Sequence, residues 1–389
     1  MAQDFMDLVF RTETGQTIPG LLKYQGPIRV SLSPALSAYR GDLNGVLQTI
    51  RTGAGIDIAT GSNAQIHIRQ VPAAAMERAF PTAACVVASG VSSWAAFRRG
   101  ENQRWSRQMH LQKAAIFIPD NAPPYIVRAC LNEEIAQALG PVNDLYRIAD
   151  SVFNDDNVHN RLTRFDLLML RLLYSTELTA GASAAQVSAQ LPALLDTLNP
   201  AGRINGGAAR SDNSWKAVIE TAMTGSNPRG NRIAAAQRAT SMARGFGDHR
   251  LVHSLLVYGR LNLRNAPERA APAFQEAYTL SLNQLGPNNL RTALTAMHIA
   301  AVALAARQYD DVITLTTTAL SVAKAHQDPV LESGIQGLRA LAFRGLGQDR
   351  QAASARLDSL AQARYAFGAD AARVAAAQAE LAGLIPAGQ

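Results

Sequence analysis

The block from Cys130 to Asp144 constrains this chain more than any other stretch, because its polar residues are set at helical spacing. Glu133 and Gln137 are one turn apart and share a helix face, with Glu134 beside them. Gly140 stands where the chain must turn sharply, and Asn143 and Asp144 follow. Such a face can hold a hydrogen-bonded polar cluster or an ion. Zinc prefers imidazole nitrogen and thiolate sulfur, with carboxylate next, and the neutral amide oxygens of Gln137 and Asn143 bind it poorly. A hard cation such as calcium accepts oxygen ligands throughout, so Glu133, Asp144 and the amide oxygens are the set that would hold one. The ligand chemistry favours the polar cluster, so neither a metal nor a cofactor is expected.

The spacing resembles the zinc-protease helix of metzincins, H-E-x-x-H-x-x-G-x-x-H, with all three histidines replaced. Glu133, Gln137 and Asn143 fall on the ligand positions, Glu134 on the general base and Gly140 on the turn. Ser151 to Asn154 is similar to the methionine turn of that family, with Phe153 in place of methionine. Leu162 to Tyr174 resembles the closing helix of the matrixin branch, which runs leucine-(serine or threonine)-x-x-aspartate and ends in leucine-tyrosine. Its own residues agree, since Thr163 can cap a helix and Asp166 can complete a capping box. The whole pattern also looks like an uncharacterised bacterial domain family with no established activity. The resemblance covers roughly residues 20 to 200 and implies a zincin-like fold and an exported protein. A catalytic zinc lowers the pKa of its water to about 7. Without it, Glu134 has no activated water, so no catalytic residue is expected unless Glu134 works with an unusual ion.

The residues before the block supply a mixed sheet. Ile28 to Ser33, Ala64 to Val71, Ala83 to Ala88 and Lys113 to Ile118 read as strands, and Leu43 to Ile50 reads as a helix. Cys85 and Cys130 are the only cysteines, one on a strand and one at the start of the motif helix. They can form one disulfide, which would imply an oxidising compartment, or remain two buried thiols. The disulfide is the favoured reading. No basic-then-apolar leader begins at Met1, so the literal reading is cytoplasmic. The resemblance points instead to the periplasm or another exported location.

Hydrophobic residues make up 48% of the 389 residues and charged residues 17%, which gives ample core and excludes global disorder. No apolar run reaches the ~20 residues of a membrane span. The net charge of +7 is carried mainly by scattered arginines, so nucleic acid is not expected as a partner. The densest basic-aromatic cluster holds Trp94, Arg98, Arg99, Arg104, Trp105 and Arg107. It reads as a solvated loop between two strands and as the candidate contact for a partner beside the cleft. His249 and His253, spaced i, i+4, read as a surface pair, and His159 near the turn is a poor substitute ligand because one histidine cannot rebuild a three-ligand site.

Residues 201–214 are small, polar and glycine-rich and read as a linker. Beyond them the chain is alanine-rich and repeats at a period of roughly 41 residues. Small residues recur at Gly259, Ala301 and Ala340, and Tyr309 and Ala319 take packing positions. Leu285 to Asn289 matches an inter-repeat turn. This pattern resembles tetratricopeptide repeats of the long-helix kind found in kinesin light chains, although the first unit, Trp215 to Asp248, is degenerate and Pro272 falls inside a helix. The expected architecture is therefore an α+β zincin-like domain over 1–200 and an all-α solenoid over 215–389, about four units plus a capping helix. The expected function is a non-catalytic adaptor or assembly factor of the bacterial envelope. It would bind protein partners on the concave repeat face and along an edge strand of the first domain. The alternatives are a hydrolase of peptide or peptidoglycan amide bonds with Glu134 as base, and a purely structural subunit.

Overall fold

The computed structural model describes residues 1–202 and 209–385, so the centre of the expected linker, residues 203–208, lies outside the described residues. The chain divides into two compact units, Met1–Ala122 with Ile126–Ala208, and Pro123–Tyr125 with Ala209–Gln389. The first is an α/β unit built on a mixed sheet, and the second is all-helical.

In the first unit the elements run α1 (Ala2–Phe10), β1 (Ile28–Leu32), α2 (Arg40–Ala54), β2 (Ile58–Thr60), β3 (Ile66–Val71), α3 (Ala73–Ala79), β4 (Val86–Ser89), α4 (Trp94–Arg98), β5 (Ala114–Pro119), α5 (Pro124–Ala138), α6 (Arg164–Leu173) and α7 (Ala184–Leu198). The strands are ordered β2-β1-β3-β5-β4. All neighbours are parallel except β4, which runs antiparallel to β5 at the edge. Ala114 to Ile118 on β5 are buried without a break, as expected of a strand covered on both faces. On β3, Ile66 and Ile68 are buried while His67 and Arg69 are half-buried, the period-two alternation visible in the sequence.

The motif lies on α5, and three devices fix where that helix ends up. Cys130 is bonded to Cys85, just before β4. Gly140 ends the helix with φ +136, and an added Cβ would sit 2.4 Å from the Leu22 carbonyl oxygen, so the position requires glycine. Tyr174 Oη donates to the Leu139 carbonyl at 3.0 Å and accepts from the Tyr24 N–H at 3.3 Å, tying the end of α5 to the end of α6.

In the second unit the helices pair in sequence: α8 (Asn213–Met223) with α9 (Arg229–Ala243), α10 (Arg250–Asn262) with α11 (Pro267–Leu285), α12 (Leu290–Ala305) with α13 (Tyr309–Ala325), and α14 (Pro329–Gly345) with α15 (Asp349–Phe367). The helix α16 (Ala371–Ala382) follows. Helix α8 starts at Asn213, so the last residues of the expected linker are helical, capped by Asp212. Phe274 lies against Gly259, where an added Cβ would be 2.4 Å from the ring. Ala301 is fully buried but Ala340 is only half-buried. Between the last two pairs the close approach is at Gly345 on α14, against which the Tyr309 ring of α13 packs. Trp215 is buried, with its Nε1–H on Ser254 Oγ at 3.1 Å, so the degenerate first unit is anchored by an aromatic. Pro272 stays inside α11 on an exposed face.

The disulfide closes a loop of 45 residues. Replacing both Cys85 and Cys130 by serine should lower the stability of the first unit by about 2–4 kcal/mol, read as a fall in the urea midpoint that reductant reproduces in the native chain.

Candidate functional site

The polar face of α5 is tied to the segment before β4 by the Cys85–Cys130 disulfide, and Glu134 lies one helical turn beyond Cys130. Glu134 is buried, and its Oε2 has no hydrogen-bond partner.

The other motif positions are engaged inside the unit. Gln137 Nε2 donates to both carboxylate oxygens of Asp144 at 3.2 Å. Asn143 Nδ2 donates to the Asp7 carbonyl of α1 at 2.9 Å, and the Val142 N–H donates to Leu8 at 3.0 Å. Arg147 pairs with Asp4 and Asp7, each at 2.9 Å, so α1 is fastened along the segment after Gly140. Among the described residues, no three His, Cys, Asp or Glu side chains are grouped to hold a metal ion.

What the face gathers is carboxyl groups. Burial is the leading cause that raises Glu133, to about 8, with Asp155, Glu13 and Asp166 adding to it. Burial, then Glu133 and Glu13, hold Glu134 well above the ordinary range. Asp144 is raised by burial, then by Asp155, Glu13 and Glu133, and Glu13 also hydrogen-bonds to it. Glu13 comes from the turn closed by the Arg11–Thr17 bridge, and Asp155 from the turn after Phe153. Neither was legible beforehand, because each lies in a polar turn with no spacing relation to α5.

Phe153 is fully buried in the main core of the first unit. Its turn is organised by Asp166, which accepts from Ser151 Oγ, from the Val152 N–H at 3.2 Å and from the Thr163 N–H at 2.7 Å. Thr163 Oγ1 returns the contact to the Asp166 N–H, completing a capping box on α6.

Several expected features take other roles. Trp94 is half-buried and packs on other aromatics. Its ring stacks on Phe97 at 5.2 Å and meets Phe117 edge-on at 4.9 Å, in a small apolar cluster on the outer face of β5. Trp105 is half-buried against the main core, while Arg98, Arg99, Arg104 and Arg107 are exposed. The expected loop holds helix α4 and a helical turn at Trp105–Arg107. One outward group of edge strand β4 is used, since the Ser89 carbonyl accepts the Gln103 N–H at 3.0 Å. An added strand would have to displace it. His249 and His253 are buried rather than superficial, with His253 against the Trp215 ring. His159 pairs with Asp150 at 3.2 Å.

In the second unit, a cavity of about 550 Å³ opens between α11 and α13, with α12 as its floor. Tyr278, Gln275 and Pro272 line one side, Leu315, Thr314 and Asp311 the other, and Ile299, Val302 and Ala303 the bottom. It therefore lies between the second helices of neighbouring pairs.

Residues 1–193 match the profile of a family described as "Protein of unknown function (DUF2927)". No curated protein matches the chain.

Two outcomes follow. Asp166→Ala strands three donors and should destabilise the first unit by about 3 kcal/mol in urea unfolding. Glu133 has a raised folded pKa, so the fold holds its proton more tightly than the unfolded chain does. The stability this gives is full below the ordinary value of 4.5 and is lost as pH rises through about 8. Glu133→Gln should flatten that decline, measured as unfolding midpoints across this range.

Proposed function

We propose that this chain is a non-catalytic adaptor: a zincin-like unit that has exchanged its metal for a carboxyl cluster, joined to a tetratricopeptide-like array that holds a protein partner. The observation that carries the reading is the fate of the motif side chains. Gln137 is bonded to Asp144 and Asn143 to the α1 backbone, so both are used as internal struts. The glycine turn at Gly140, the buried Phe153 turn and the capped helix α6 support the zincin likeness. The paired helices with a repeat of roughly 40 residues support the repeat likeness.

Binding is assigned to the α11–α12–α13 cavity, whose size and mixed apolar and amide lining suit side chains of a bound protein segment. This differs in place from the concave face expected of such arrays, because the cavity lies between second helices. The Cys85–Cys130 bond supports an oxidising compartment, in keeping with a periplasmic envelope role. No described helix is long and apolar enough to cross a membrane.

Elemental analysis and co-purification from an envelope fraction test the reading together. The purified chain should carry no stoichiometric metal. A partner protein should be retained by Glu134→Gln and lost by Val302→Arg, which puts a charge on the cavity floor. A stoichiometric ion, with amide-bond hydrolysis abolished in Glu134→Gln, would replace the adaptor by the hydrolase.

A further inference from the structure

We propose that the outer face of strands β1 and β3 carries a binding site for a phosphate group, built on Arg69, Ser31 and Lys113. The inference concerns the first unit alone and is independent of the adaptor reading.

Strand parity and register bring these residues together. His67 and Arg69 are two apart on β3, so both side chains leave the same face of the sheet. It is the face on which β5 carries the Trp94 cluster, because His67 pairs with Ala115 and Arg69 with Phe117. On the other side of β3, Ser31 of β1 pairs with His67. Lys113 stands two residues before Ala115 and so falls on that face as well. Ser31, His67 and Arg69 are half-buried and Lys113 is exposed, so a solute can reach them.

The group is closed by hydrogen bonds. Arg69 Nη2 and Ser31 Oγ each lie 3.0 Å from His67 Nδ1. Arg69 Nε donates to the Ser92 carbonyl at 3.1 Å, which ties the guanidinium to the turn after β4. A guanidinium can only donate, so Nδ1 is the bare nitrogen of a neutral imidazole. Burial, then Arg69, lower the pKa of His67 and keep it in that form. One lone pair then faces two donors, and the Ser31 hydroxyl is the one that can turn its O–H outward.

The feature that points to an anion is Arg69. Its acceptors are all neutral: the Ser92 carbonyl, His67 Nδ1 and, at a long 3.5 Å, the Ile68 carbonyl. Among the described residues it has no carboxylate partner. Asp57 is taken by Arg29 at 3.1 Å, and Glu101 by Arg99. A half-buried cation without a counter-charge is costly, and an anion would relieve it. Three of its five N–H donors are used, which leaves one on each terminal nitrogen. A bidentate oxyanion takes such a pair.

The chemistry selects among oxyanions. A carboxylate is planar, and its two oxygens are filled by the guanidinium alone. A phosphate has further oxygens directed away from that plane, which suit a hydroxyl and an ammonium on the neighbouring strands. Free phosphate and the headgroup of an acidic phospholipid present the same group.

Titration calorimetry of the intact chain with inorganic phosphate, at neutral pH in about 0.15 M sodium chloride, tests this beside co-sedimentation with phosphatidic acid vesicles. One phosphate should bind per chain, and acetate at least about tenfold more weakly. Arg69→Gln should weaken phosphate binding about tenfold and Lys113→Gln about threefold. Lys113 is exposed, so its variant serves if Arg69→Gln does not fold. Arg171→Gln, at an exposed site on α6, should bind as the native chain does. Sedimentation lost in the Arg69 and Lys113 variants would assign the lipid headgroup, and phosphate binding without sedimentation the free ion. Binding of neither probe, equal affinity for acetate, full affinity in either folded variant, or an equal loss in Arg171→Gln would overturn the proposal.

Discussion

The first unit depends on one electrostatic constraint: several carboxyl groups are gathered on the α5 face, and the charged groups acting most strongly on them are other carboxyls. Buried like charges cannot all ionise, so protons have to stay. Burial, then Asp155, Glu13 and Glu133, raise the pKa of Asp144, in the segment after Gly140, well above the ordinary carboxylate range. The same segment takes α1 through Asn143 and Arg147.

Around that centre the scaffold is over-determined. The disulfide holds α5 to the segment before β4, Tyr174 holds its end, and Asp166 holds the turn that carries Phe153. The disulfide and Tyr174 reach across distant parts of the sequence, which keeps the polar face of α5 in place.

Much of this frame was legible in the sequence. The spacing of Glu133, Gln137 and Gly140 located the helix and its turn, and Thr163 with Asp166 announced the capping box that is present. The alternation on β3 and the pairing of helices in the second unit were equally plain. What stayed hidden was every contact set by tertiary approach alone. Glu13 meets Asp144 across more than half of the first unit, and Asn143 meets a backbone carbonyl, which has no sequence signature. The packing of Trp94 on Phe117 was hidden because its companion is on another element. His249 and His253 looked superficial because polarity suggested exposure, yet they are buried beside Trp215.

The central claim is that the carboxyls buried on the α5 face of the first unit stay protonated. Difference infrared spectroscopy of the metal-free chain at neutral pH reads them directly, through the carbonyl stretch of un-ionised carboxylic acids. The account predicts such a band in the folded protein, lost on unfolding and reduced in Glu134→Gln and Asp144→Asn. A folded, metal-free protein at neutral pH showing only ionised carboxylate bands would contradict it.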